Sequence, residues 1–177
     1  MTTKQKEKQR ILDFDGFPGR WEIQKSAAET DRERFQTRMV IEEAGQLPAH
    51  RHPSAEESYE VLSGSLEVQV EGEWTTLSAG EKHTVPAGTI HSFKVSQPVE
   101  MINVHQPALR YEEYFRRFQK LKVERGVEMP PKRPKGMILL GMLQVEYERE
   151  FIATSPPQWL FRILARLGRL LGYELPK

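Results

Sequence analysis

Apolar and polar side chains alternate in short runs between residues 20 and 107, which is the pattern of half-buried β-strands. Phe35, Met39 and Ile41 share one face of such a run, and residues 91–95 repeat the alternation. Gly, Pro and Ser separate the runs, with a tight-turn signal at residues 63–65. Many short antiparallel strands of this kind predict a mainly β fold, either a sandwich or a closed barrel.

The period of the pattern changes after Pro107, where apolar residues recur at intervals of three and four positions. This spacing is typical of amphipathic helices. Three helices are expected, over residues 111–121, over residues 137–147 and from Pro156 onward. The chain is therefore predicted to have three parts, namely a polar N-terminal tail (residues 1–19), a β-domain (residues 20–107) and a helical C-terminal extension (residues 108–177).

The third expected helix has an apolar stripe on one side and Arg162, Arg166 and Arg169 on the other. A basic amphipathic helix can lie on a membrane surface. It can also pack on its own barrel or on a second subunit, with its arginines in water. Because most amphipathic helices fold against a core, we expect packing rather than membrane contact, and a homodimer is one form that this packing can take.

The composition narrows the classes of function. The 26 Lys and Arg against 25 Asp and Glu give a net charge of +1, so we expect no nucleic-acid partner. The chain has no cysteine, which excludes disulfide scaffolds, thiolate metal sites and thiol nucleophiles. No apolar run approaches the roughly 20 residues of a membrane span, and the N-terminal residues lack the apolar segment of a secretory signal. We therefore expect a soluble, cytoplasmic protein.

Four side chains that can bind metals lie in the β-domain at positions where neighbouring strands could bring them together. His50 and His52 are two residues apart, so in an extended strand their imidazoles point to the same face. Glu57 follows a short turn, and its face of the next strand is less polar than that of Glu56, which favours Glu57 as the inward carboxylate. His91 lies at the start of a later predicted strand and provides a third imidazole.

The sequence around these residues resembles the two motifs of the cupin family. Residues 45–64, GQLPAHRHPSAEESYEVLSG, are similar to the first motif, in which Gly precedes His-x-His, then Glu, then Gly. Residues 80–91, GEKHTVPAGTIH, are similar to the second, in which Gly is followed by Pro-x-Gly and His. Two features depart from the family pattern: only four residues separate Gly45 from His50, and Val95 replaces an Asn.

The resemblance implies a double-stranded β-helix, or jelly-roll barrel, that holds one divalent transition metal through His50, His52, Glu57 and His91. Fe, Mn, Ni, Co, Zn and Cu all suit three imidazoles and one carboxylate. The family hosts many reactions on one site. The resemblance therefore implies a metal-dependent dioxygenase, isomerase or decarboxylase whose small-molecule substrate chelates the metal, or else a non-catalytic domain that binds or senses a small ligand.

Further residues are expected near this metal. Glu57, if it leaves the metal, and His105 are the candidate catalytic groups. His105 lines the barrel only if the face that it shares with Met101 and Asn103 points inward, and otherwise it is a loop histidine. Tyr59 and Phe93 each share a strand face with an expected ligand, so they line the pocket or pack the core beside it.

Overall fold

The computed structural model describes residues 10–177, which form twelve strands, a short 3-10 helix and three α-helices. The strands are β1 (Ile11–Asp13), β2 (Arg20–Lys25), β3 (Phe35–Ile41), β4 (Gly45–Gln46), β5 (His50–Arg51), β6 (Glu56–Ser63), β7 (Ser65–Val70), β8 (Glu73–Ser78), β9 (Lys82–Val85), β10 (His91–Val95), β11 (Val99–Gln106) and β12 (Ile152–Ala153). The helices are α1 (Tyr111–Val123), α2 (Pro134–Glu146) and α3 (Gln158–Leu170). The predicted mainly β fold with a helical C-terminal part is confirmed.

The strands form two antiparallel sheets that enclose a common core. One sheet has the order β1-β2-β3-β11-β6-β9, and the other has the order β12-β5-β10-β7-β8, with β4 also paired to β10. The connected strands β6 and β7 lie in different sheets, as do β10 and β11, so the chain winds between the sheets as in a double-stranded β-helix. Tyr59 and Phe93, from opposite sheets, have ring centroids 5.9 Å apart.

The register of β11 decides which polar side chains enter the barrel. Alternate residues of β11 are buried, so its inward face carries both Asn103 and His105. His105 lies opposite Glu57 of β6, and Asn103 lies opposite Tyr59 of the same strand and Thr37 of β3. Long-range pairing thus gathers these five polar side chains on one inner surface.

The N-terminal strand extends the barrel further than the sequence predicts. Ile11–Asp13 pair with β2, with Leu12 opposite Trp21, and both Leu12 and Phe14 are fully buried. The predicted polar tail over residues 1–19 therefore reaches too far, because apolar side chains within it join the core. Residues 1–9 lie outside the described part of the chain.

The helical extension packs against the barrel at α1 and contacts it again after α2. In α1, Phe115 is buried with its ring 4.8 Å from that of Trp21. The segment after α2 returns to the second sheet, where β12 pairs with β5. No helix within residues 10–177 has the length and hydropathy that crossing a membrane requires.

Helices α2 and α3 approach closely because small residues lie between them. A Cβ atom on Gly168 would lie 2.5 Å from the sulfur of Met142, and one on Gly141 would lie 2.8 Å from Cβ of Leu164. Both distances are shorter than van der Waals contact, so a larger residue at Gly141 would push the helices apart, and one at Gly168 would force the Met142 side chain to move. One face of α3 therefore packs within the protein, as expected, although against α2 rather than against the barrel.

Candidate metal centre

The four side chains expected to bind a metal converge inside the barrel. His50, His52, Glu57 and His91 each place one ligand atom within 4.8 Å of the others. They come from β5, the turn after it, β6 and β10, and pairing of β5 with β10 sets His50 opposite His91. All four residues are between 2% and 5% exposed, so the group is isolated from bulk water.

Backbone carbonyl groups fix the orientation of all three imidazoles. The Nδ1 atoms of His50, His52 and His91 lie 2.9, 2.6 and 2.9 Å from the carbonyl oxygens of Pro48, Glu150 and Thr89. A carbonyl oxygen can only accept a hydrogen bond, so each Nδ1 carries a proton and donates it. In the neutral ring, Nε2 then holds the unshared electron pair, and all three Nε2 atoms are preset as metal ligands.

Glu57 lies where these electron pairs meet. Its Oε2 atom is 3.0 Å from Nε2 of His52 and 2.8 Å from Nε2 of His91, while the amide of Asn103 donates to Oε1 at 2.7 Å. Two neutral imidazoles would direct electron pairs at a carboxylate, which is repulsive unless a cation lies between these atoms. Either a proton or a metal ion meets this requirement, so the donor set fits a divalent metal ion.

Burial and mutual charge set the protonation of the group. Burial raises the pKa of Glu57, but the neighbouring imidazoles of His105 and His52 outweigh it and hold that pKa well below its usual range. Burial, followed by the nearby His52 and His91, lowers the pKa of His50 well below 6.5. Burial is the largest influence on His91 and lowers its pKa, but the hydrogen bond to Glu57, the charge of that carboxylate and the bond to the Thr89 carbonyl together outweigh it and give a net rise. The buried carboxylate of Glu57 therefore favours a positive charge on the imidazoles around it, and a metal ion binding here competes with protons for the same atoms.

His105 points into the barrel beside the four candidate ligands. Its Nε2 atom is 3.4 Å from Oε1 of Glu57, and its ring centroid is 4.0 Å from that of Tyr111. Burial lowers the pKa of His105 to about 3, so the ring is neutral at pH 7. Among the described residues, neither ring nitrogen of His105 has a hydrogen-bond partner. This imidazole is thus available to a ligand bound next to Glu57.

Two hydroxyl groups without partners adjoin the same inner surface. Tyr59 and Thr37 are both fully buried, and within residues 10–177 neither hydroxyl finds a hydrogen-bond partner. Burial, with the negative charge of Glu57, raises the pKa of Tyr59 well above 10, so its hydroxyl keeps the proton. Phe93, 2% exposed, packs against Tyr59 and forms the apolar wall. Sequence reasoning missed Thr37, although the alternation along β3 carries the signal.

The segment between α2 and α3 covers the candidate ligands. The ring of Phe151 stacks on that of His50, with centroids 4.5 Å apart and an interplanar angle of 15°. The carbonyl of Glu150 accepts hydrogen bonds from Nδ1 of His52 and, at 2.9 Å, from the hydroxyl of Tyr111. β12 extends this contact by pairing Ala153 with His50. The extension therefore completes the surroundings of two candidate ligands.

Replacing Tyr111 by Phe is expected to lower the free energy of unfolding by about 1 kcal/mol, the usual net value of one hydrogen bond. The ring packing stays, and the Glu150 carbonyl keeps its bond from His52. Urea denaturation measures the change. Tyr114→Phe is the matched control, because that hydroxyl has only a long contact of 3.3 Å with Gln144, and a smaller loss is expected there. Equal effects of the two substitutions would contradict this account of the Tyr111 hydroxyl.

Comparison with known proteins assigns the β-domain to a family. Residues 37–105 match the family model described as the cupin domain, a range that runs from β3 to β11 and includes all four candidate ligands. This part of the chain belongs to the cupin family. A search of the curated proteins finds no match to the chain.

Solved structures similar to this chain are distant from it in sequence. KdgF from Halomonas sp. is 21% identical, with a TM-score of 0.45 over 50% of this chain and 79% of that one. An RmlC-like cupin from Shewanella frigidimarina is 20% identical, with a TM-score of 0.49 over 57% and 86%. A putative ethanolamine utilization protein Q from Salmonella typhimurium is 24% identical, with a TM-score of 0.47 over 55% and 79%. At these identities no function is transferred to this chain.

Proposed function

We propose that the barrel binds one divalent transition metal through His50, His52, Glu57 and His91 and is a metal-dependent enzyme for a small molecule. The observation that supports this most strongly is the convergence of three carbonyl-oriented imidazoles on one ionised, buried carboxylate. Fe, Mn, Co, Ni, Cu and Zn all suit this donor set. When bound, such an ion supplies Lewis acidity or a site for O₂.

The side chains around the candidate ligands favour a small substrate with oxygen atoms. His105 is neutral and has two unused ring nitrogens, so it is suited to accept a proton from a substrate hydroxyl or to return one. The hydroxyls of Thr37 and Tyr59 are available to orient substrate oxygens. Asn103 holds the Glu57 carboxylate in place through Oε1. A dioxygenase, isomerase or decarboxylase reaction on a chelating oxygen compound fits these groups best.

The role of the extension (residues 108–177) is part of this proposal. We assign the catalytic role to the barrel, which begins at β1 and ends at residue 107, and we assign to the extension the role of covering the candidate ligands, because Glu150 orients His52 and Phe151 stacks on His50. Movement of the segment around Phe151 away from the barrel would open one route for a substrate to the metal.

A second candidate function, binding or sensing of a small ligand without catalysis, is favoured by the same enclosure. The candidate ligands are at most 5% exposed, and Phe151 and Tyr111 lie over them. A ligand leaves an enclosed site of this kind slowly. A bound ligand would also contact the segments that cover the site, so binding could change their position.

His105→Phe separates the two functions. Phe keeps an aromatic ring against Tyr111 but cannot transfer a proton, so the enzyme proposal predicts unchanged metal content and turnover reduced by about 100-fold or more. Protein loaded with each ion is screened against catechols, enediols and diketones, with oxygen uptake and product formation measured. Wild-type turnover that survives in His105→Phe would contradict the role of His105. A wild type that binds these compounds without turnover would support the sensing function instead.

A further inference from the structure

Helix α3 leaves four of its large apolar side chains exposed, and Leu171 directly after it is exposed as well. One face, formed by Phe161, Ala165 and Gly168, is buried, and Leu160 and Leu164 are half-buried, with Leu164 lying against Gly141 of α2. Large apolar residues on the other side are exposed over 42–85% of their surface, and they are Trp159, Ile163, Leu167, Leu170 and Leu171. They recur at three- and four-residue spacing, so they form one continuous stripe along the helix.

The polar border of this stripe is entirely basic. Arg162, Arg166 and Arg169 are exposed along one side of it, and the sequence from residue 151 to 173 contains no Asp or Glu. Arg162 contacts Glu148, which precedes the helix, at 3.1 Å. The whole extension has 14 Lys and Arg against 8 Asp and Glu, whereas the complete chain has a net charge of only +1. Positive charge is thus concentrated in the part of the chain that carries the exposed apolar stripe.

We propose that α3 is a docking surface for an anionic lipid membrane. Its exposed stripe would lie among the acyl chains near the headgroups, with the arginines against lipid phosphates, in the plane of the interface. With 13 residues, α3 is too short to span a bilayer, and its Trp159 is a residue type enriched at membrane interfaces. This differs from the sequence-based expectation of packing alone, because the face of α3 away from α2 has large exposed apolar side chains.

A second copy of the chain fits this face less well than lipid does. Two α3 helices joined through their stripes would bring three arginines from each helix to the contact, with no acidic residue on either helix to offset them. Like charges at such a seam are unfavourable. An anionic surface instead complements both the apolar stripe and its basic border.

Co-sedimentation with vesicles tests the proposal. Wild-type protein is expected to bind vesicles of equal parts phosphatidylcholine and phosphatidylglycerol at least about tenfold more tightly than pure phosphatidylcholine, with binding weakened by salt. The double variant Leu167→Glu/Leu170→Glu is expected to lose at least about tenfold of this binding. Leu62→Glu is the matched control, since Leu62 is 42% exposed on the barrel, and it is expected to bind as the wild type does.

Circular dichroism and metal content show whether the double variant Leu167→Glu/Leu170→Glu keeps the fold and the barrel site. Because vesicle binding is measured separately from metal binding, a negative result in the vesicle assay leaves the enzyme proposal intact. A second variant, Arg166→Glu/Arg169→Glu, tests the charge separately and is expected to lose preference for the anionic lipid. Absence of binding to either vesicle would overturn the proposal. A dimer in sedimentation equilibrium that the Leu167→Glu/Leu170→Glu variant disrupts, without lipid binding in the wild type, would overturn it in favour of a second copy.

Discussion

Glu57→Gln is expected to abolish tight metal binding while the barrel remains folded. The amide has nearly the same size, but it removes the negative charge on which the three imidazoles converge and replaces one acceptor oxygen by a donor. Loss of a partner that only orients a ligand costs 10- to 100-fold in affinity, so loss of the carboxylate ligand is expected to cost at least about 100-fold.

Competition with a chromogenic chelator measures this affinity for each divalent ion. Glu60→Gln is the matched control, because Glu60 lies on the same strand but is exposed, and wild-type affinity is expected for it. Retention of wild-type affinity by Glu57→Gln would show that the ion binds elsewhere. Circular dichroism of both variants shows whether the fold is retained.

Adding the preferred divalent ion is expected to raise the melting temperature by about 8–16 °C. An ion at about 1,000 times its dissociation constant stabilises the folded state by about 4 kcal/mol, and each kcal/mol shifts the midpoint by about 2–4 °C in a chain of this size. The physical cause is the cluster of Nε2 electron pairs around Glu57, which a divalent ion neutralises better than a shared proton does.

Metal binding is expected to stabilise the helical extension as well as the barrel. His52 is hydrogen-bonded to the Glu150 carbonyl, and Phe151 stacks on His50, so an ion that fixes these rings also fixes the segment that covers them. Differential scanning calorimetry measures the shift, and hydrogen exchange measures protection at residues 150–154. An equal shift in Glu57→Gln would show non-specific binding, and protection confined to the barrel would contradict the coupling.

The convergence of the four candidate ligands can be predicted from the sequence because most of the necessary information is local. Strand parity alone places His50 and His52 on one face and separates Glu57 from Glu56. Tyr59 follows by the same parity from Glu57. The direction of His105 stayed open in the sequence because it depends on the pairing of β11 with β6 and β3, which joins residues far apart in the chain.

The contribution of the extension to the site has no comparable signal in the sequence. The atom that orients His52 is the backbone carbonyl of Glu150, and any residue type supplies such an oxygen. The strand that pairs with β5 is only two residues long, Ile152–Ala153, which is too short for an alternating pattern. Helix α2 begins at Pro134 rather than at Met137, since the first turn of a helix does not need the N–H that proline lacks.

The most direct test of the central claim is the metal content of untagged protein after loading with each of the six candidate ions and desalting. Elemental analysis is expected to find about one ion per chain for at least one of these metals in the wild type, with little or none in His52→Ala. A wild type that retains none of the six ions would contradict the assignment of His50, His52, Glu57 and His91 as a metal site.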